Sequence, residues 1–170
     1  MVYSMRETLT EDAAFVRGLF HLPHVRAYLN TVTTQVILDT LDDPNSESYI
    51  IEEDGEAAGN FVMRTNGFLV HFETLALQRQ HRGGGSFALR WGLRRAFDEL
   101  CTHRTFLEVR ADNSVSRHLC ERFGFKQEGV YRDGFRDERT GRFHDLCAYG
   151  MLENEYRAAE NRLMSRFSIT

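Results

Sequence analysis

The chain has 170 residues, of which 42% are apolar and thirteen are phenylalanine, with a net charge of −4; that is enough for one domain with a real core. The opening MVYSMRETLTEDAAF holds no unbroken apolar run, and no stretch approaches the roughly 18 apolar residues of a spanning helix. Neither a signal peptide nor a membrane partner is therefore expected, and the chain reads as soluble and cytoplasmic. Three widely spaced cysteines, Cys101, Cys120 and Cys147, fit neither a disulfide framework nor a metal site.

In chain order, a short strand near residues 3–6 precedes TLTEDAAFVRGLF, a helical stretch with Thr10 as the expected N-cap and acids in the first turn. A second short helix is expected after Pro23, through HVRAYL, and a third over TTQVILDTL, ending before Pro44. No Lys or Arg lies between Arg26 and Arg64, whereas Asp39, Asp42, Asp43, Glu47, Glu52, Glu53, Asp54 and Glu56 do. This is either a solvated face or an attractor for a cationic substrate.

The period then changes. ESYIIEE, a turn over DGEAAG, NFVMRT and GFLVHFETLAL read as successive antiparallel strands. From Gly85 it is helical again, with Leu89, Leu93, Ala96, Phe97 and Leu100 on one stripe. The run RWGLRR on that helix lacks the interleaved aromatics of a nucleic-acid surface, so no nucleic-acid partner is expected. TFLEVR alternates as a strand. SVSRHLCERF forms a helix expected to turn Val115, Leu119 and Phe123 inward and to end at Gly124. Two strands, about 127–135 and 143–152, flank the turn RDERTG, and a tail over 154–170 follows a core of about 3–153. The pattern predicts one mixed α/β domain in which strand 68–77, a glycine loop, a helix and strand 105–110 make a right-handed βαβ unit.

QHRGGGS, residues 80–86, joins that strand to that helix. A glycine-rich turn opening a helix exposes N–H groups that have no helical partner, and the helix dipole adds partial positive charge there. A phosphate docks on such main chain, because no Cβ blocks its approach. Arg79 and Arg82 flank the loop and supply charge. G-x-G-x-x-G and G-x-x-x-x-G-K-[ST] are both absent, which disfavours an ordinary dinucleotide enzyme or ATPase. On composition alone, phosphate cradle and plain tight turn are both open.

The stretch LALQRQHRGGGSFALRWGLRRAFDEL resembles the acetyl-CoA-binding segment of the GNAT N-acetyltransferase superfamily. The signature there is Gln or Arg, two residues, Gly, one residue, then Gly or Ala; Gln80, Gly83 and Gly85 match it. LEVRADNSVSRHLCERFGFKQEGVYRD resembles the next strand and helix, with Asn113, Gly124, Phe125, Glu128 and Gly129 in matching positions. GRFHDLCAYGML is similar to the closing strand of members that include ribosomal-protein alanine acetyltransferases. The resemblance covers roughly residues 3–153. It implies a mixed, mostly antiparallel twisted sheet with a central, splayed parallel strand pair and flanking helices.

The activity it implies is direct transfer of an acetyl group from acetyl-CoA to a primary amine, on a small molecule or a protein N-terminus, with no metal. Main chain near Leu75, Ala76 and Leu77 would pair with the pantetheine arm. Gln80, His81, Arg82, Gly83, Gly84, Gly85 and Ser86 would hold the pyrophosphate, and Asn113 and Ser116 stand in the adjoining block, Ser116 either touching CoA or capping its helix. Proximity then supplies much of the rate, and a nearby N–H stabilises the oxyanion.

An alkylammonium titrates near 10, so a general base is useful. His71 and Glu73, two apart on one strand and so facing one way, are the candidates; many members carry glutamate where His71 stands. An unperturbed imidazole titrates near 6.5, which suits a base at neutral pH. The tyrosine that often protonates the departing thiolate is replaced here by Cys120, which is either a thiol donor or a packing residue; Tyr131 and Tyr149 are alternatives. Those two departures keep a second reading open, a catalytically impaired CoA-binding regulatory domain. A homodimer through an exposed sheet edge is compatible with the pattern.

Overall fold

The computed structural model describes residues 1–159; the remainder of the C-terminal tail lies outside the described residues. Its strands are β1 (Tyr3–Glu7), β2 (Ser46–Glu53), β3 (Glu56–Thr65), β4 (Leu69–Leu77), β5 (Arg104–Arg110), β6 (Lys126–Arg136) and β7 (Phe143–Leu152). Helices α1 (Ala13–Leu19, entered by a 3-10 turn at Thr10–Asp12), α2 (Pro23–Arg26), α3 (Thr34–Asp42), α4 (Gly84–Arg94) and α5 (Ser114–Phe123) complete the core. Residues 153–159 are also helical.

All seven strands form one sheet in the order β1-β2-β3-β4-β5-β7-β6. Every neighbouring pair is antiparallel except β4 and β5, which run parallel across the predicted βαβ crossover. The expected mixed sheet with a central parallel pair is thus the observed one. Two apolar layers hold it. Leu89 and Leu93 of α4, with Ala96 and Phe97 of the π-helical turn Arg95–Glu99 that continues it, pack with Phe61, Val70, Phe72, Leu107, Phe123 and Tyr149 on one face. Ala13, Val16, Leu19, Val25 and Ile37, from α1 to α3, pack with Ile50 and Ala76 on the other.

Several local expectations need correction. Thr10 does not cap α1: Leu9 precedes the 3-10 turn, and its N–H donates to the Asp12 carboxylate at 2.8 Å. Asp12 is fixed in turn by Arg6, at 2.7 and 2.9 Å, so the entry to the helix is held by a charge-assisted carboxylate and not by a hydroxyl. The β2–β3 turn is only Asp54-Gly55, both with positive φ (53° and 87°), so Glu56 to Gly59 belong to the strand. That two-residue form matches the twist of the flanking strands. On α5 the inward residues are Cys120 and Phe123, while Val115 is 56% exposed. Its first turn projects beyond the core, so the apolar stripe finds a partner only from Leu119 onward.

Candidate active site

The site begins where the parallel pair comes apart. β4 and β5 are paired only over Leu69↔Arg104, Val70↔Thr105 and His71↔Phe106. β4 then continues along β3 to Leu77, and β5 along β7 to Arg110, so the two strands diverge and leave a gap. An extra residue in β4 sharpens this divergence. Val62 faces Thr74 and Met63 faces Phe72, which leaves Glu73 without a partner. Such a bulge bends its strand and drops one residue from the ladder. It also reverses the alternation: Val70 and Phe72 face the α4 layer, whereas beyond the bulge Leu75 and Leu77 do and Ala76 joins the α1–α3 layer.

Gln78 N–H donates to Ala58 of β3 at 2.7 Å. By strand alternation the main-chain groups of Leu77 and Leu75 therefore face the gap. Leu77 C=O is already engaged, since His24 Nε2–H of α2 donates to it at 2.8 Å. Two further contacts draw the segment after α2 across the opening. Arg110 donates to Ala27 C=O at 2.8 Å, and Asn30 donates to Arg136 C=O at 3.0 Å. Arg110 is buried between the rings of Tyr28 and Phe135, each 5.4 Å from its guanidinium carbon, and forks onto Asp112. The contacts of His24, Asn30 and Arg110 with Leu77, Arg136 and Ala27 were not read from the sequence, because each joins residues far apart in the chain.

At one end of the gap lies the glycine loop. Gly83 stands at the N-cap of α4 with φ 96° and ψ −12°, and no side chain caps that end. Phe87 N–H is the first to reach back, to Gly83 C=O at 2.9 Å. The N–H groups of Gly84, Gly85 and Ser86 have no earlier helical carbonyl to bind. A Cβ at Gly83 would have only Tyr3 near it, at 3.8 Å, and would project into open space. The loop is anchored rather than slack: Tyr3 O–H donates to Arg82 C=O at 2.9 Å, and Arg82 pairs with Glu53 at 3.3 Å. Gln80, His81 and Arg82 are exposed, with His81 also at positive φ (61°). Arg122 of α5, which was not singled out in the sequence, donates to Ser86 Oγ at 3.2 Å and brings a third cation beside Arg79 and Arg82. These features fit a diphosphate: unclaimed N–H groups, positive charge and no side chain in the way.

At the other end lie His71 and Glu108. His71 Nε2 is 2.7 Å from Glu108 Oε2, and the imidazole stacks on Phe106 at 4.6 Å and 5°. A carboxylate only accepts, so Nε2 carries the proton, and Nδ1 is the nitrogen with a free lone pair. Glu108 was missed in the sequence. Its one signal is a carboxylate at a strand position whose flanking residues, Leu107 and Val109, are buried.

Glu73 faces the same side but has other partners. Its carboxylate accepts from Arg64 Nε at 2.5 Å, and Arg64 also pairs with Asp43. Beside the bulge, α1, α3 and the sheet line a partly open cavity of about 90 Å³. Its walls include Val16, Phe20, Ile37 and Val62, with Val32 and Val36 on the α3 side and Glu73 and Thr74 along β4.

The remaining predicted residues lie elsewhere. Cys120 is 3% exposed in the α4-side layer, where burial pushes its thiol up to about 12. Tyr149 belongs to that layer too; burial raises its phenol, which donates to Glu121 at 2.9 Å and accepts from Arg117. Tyr131 is 54% exposed on β6. Asn113, not Ser116, is the cap of α5: its side chain accepts Ser116 N–H at 3.1 Å.

Parallel strands forced apart between a bare helix N-terminus and a histidine–carboxylate pair make the cleft. A model of the acetyltransferase (GNAT) family matches residues 10–125, and the chain belongs to that family. It is 39% identical over 61 residues to a Bacillus subtilis (strain 168) protein named "Putative ribosomal N-acetyltransferase YdaF"; the match covers 36% of this chain and 32% of that protein, about a third of the relative's length. Among solved structures it is similar to a "putative acetyltransferase from T. thermophilus" (TM-score 0.80, 22% identity, 98% of this chain and 94% of that one). It is also similar to spermidine N-acetyltransferase from Vibrio cholerae in complex with CoA and spermine (TM-score 0.80, 19% identity, 91% of this chain and 98% of that one).

Proposed function

We propose that the chain transfers an acetyl group from acetyl-CoA to a primary amine within a ternary complex. The observation that carries this reading is the gap between β4 and β5, with Gly83 and its unclaimed N–H groups at one end and His71–Glu108 at the other. Acetyl-CoA, when bound, supplies the activated acyl group as a thioester. The loop from Gln80 to Ser86 holds the pyrophosphate on main-chain N–H groups, with Arg79, Arg82 and Arg122 adding charge. Leu75 and Leu77 offer main chain to the pantetheine arm, and His24 fixes the end of that strand. Main chain freed by the bulge at Glu73 provides the N–H that polarises the thioester carbonyl.

His71 takes the proton from the attacking amine on Nδ1 while Glu108 holds Nε2–H and stabilises the imidazolium that forms. Glu73, matched by Arg64, serves the acceptor side instead. Cys120 lies in the core layer behind the sheet, so we assign it a packing role and leave the departing thiolate to be protonated by water in the gap.

The test compares His71→Gln with the wild type. Acetyl-CoA binding stays within a few-fold, while acceptor-dependent CoA release falls by about 10² to 10⁴. Unchanged turnover would remove His71 from the reaction.

A further inference from the structure

The cavity beside the β4 bulge is the least explained feature near the proposed chemistry. Its apolar walls are well covered, with Val16 3% exposed, Phe20 5%, Ile37 6% and Val62 8%, and of its polar lining Thr40 donates to Val36 C=O at 2.8 Å and Ser48 to Thr8 Oγ at 2.9 Å. The polar groups near it are largely spoken for. Asn60 donates to Tyr49 C=O at 3.0 Å and to Ser48 at 3.1 Å, and Glu73 is held by Arg64. Such a space does not solvate an ammonium group, because an unpaired charge in an apolar recess carries a large desolvation cost. Nor does it offer the several free carboxylates that a polycation needs.

The placement matters as much as the lining. Glu73 and Thr74 form the β4 edge of the cavity, and they follow His71 by two and three residues. Along a strand that is roughly 7–10 Å, the span of a hydrogen bond of about 3 Å to His71 followed by the substrate's α-carbon and a side chain of three or four carbons. The mouth on the α3 side carries Val36, an apolar residue left 49% exposed.

Resting on the transferase reading above, we infer that this cavity receives a small aliphatic side chain carried next to the acceptor amine. Its volume of about 90 Å³ takes about three or four carbons, given that about 150 Å³ takes a benzene ring. The acceptor class is thus an α-substituted amine of valine or leucine type, not a bare amine and not a polyamine.

The test measures kcat/KM for acetyl transfer from acetyl-CoA to glycinamide, valinamide, leucinamide, phenylalaninamide and spermidine. The expected result is a preference of tenfold or more for valinamide or leucinamide over glycinamide, since each added methylene in an apolar pocket is worth about tenfold or more. Val62→Phe, which fills the cavity, brings valinamide and leucinamide down to the glycinamide value. Val36→Phe at the exposed mouth does the same to a smaller degree and carries little folding risk. A preference for glycinamide or spermidine, or a valinamide preference that survives both substitutions, would overturn the inference and leave the transferase reading intact. Acetyl-CoA binding without turnover of any amine would overturn both.

Discussion

Gly83→Asp separates a phosphate cradle from a plain turn. The residue sits in the left-handed region at φ 96°, which aspartate visits at a cost of about 1 kcal/mol. Its Cβ meets nothing closer than Tyr3 at 3.8 Å, so no clash adds to that. A carboxylate at the N-terminus of α4 recovers about 0.3–1 kcal/mol from the helix dipole. The net loss is below about 1 kcal/mol, and Tm moves by less than about 4 °C in a chain of this size. A bound diphosphate experiences the same change differently. A unit charge about 4 Å from a phosphate oxygen costs about 1 kcal/mol in water and about 4 kcal/mol near a protein surface. Calorimetric titration with acetyl-CoA should therefore show Kd rising by about 10- to 10³-fold. Gly83→Asn, nearly the same shape without the charge, should recover most of the affinity. A Gly83→Asp protein that melts normally and binds acetyl-CoA within twofold of wild type would refute the cradle.

Four further outcomes are expected. A Cβ at Gly92 would lie 2.7 Å and 2.9 Å from two ring carbons of buried Phe61, so Gly92→Val costs about 2–3 kcal/mol and lowers Tm by roughly 4–12 °C in a thermal melt. Asp12 is held below its ordinary range, chiefly by Arg6; its contribution is present above the unfolded carboxylate value and vanishes as pH falls through the depressed one. The stability gap between wild type and Asp12→Asn, measured by denaturant titration, should be constant from about pH 5 to 8 and close below about pH 4. Cys101 is exposed while Cys120 and Cys147 are buried, so a thiol reagent at pH 8 should modify one cysteine in the native protein and all three after unfolding. Cys120→Ala should keep kcat within about threefold; a loss of 10² would make the thiol an acid after all.

The glycine loop and the order of elements were legible because both are written locally. A glycine run between a strand and an amphipathic stripe has few alternative meanings, and Asn113 and Gly124 bracket α5 with their own capping chemistry. What stayed hidden was cross-chain. The bulge at Glu73 changes no composition and adds only one residue to a strand, yet it decides which side chains of β4 face which layer. Glu108 finds His71 only through the parallel register of β4 and β5. The roof contacts of His24, Asn30 and Arg110 span 53, 106 and 83 residues. Cys120 occupies the position where relatives often carry a tyrosine acid; only its burial shows that it faces the core.

Direct attack in a ternary complex is tested by the initial rate of CoA release with acetyl-CoA and an amine varied together. Catalysis through His71 without a covalent acetyl-enzyme predicts intersecting double-reciprocal lines, no release without amine and an unmodified protein mass. Parallel lines with an acetylated protein, or tight acetyl-CoA binding with no amine-dependent release, would contradict it.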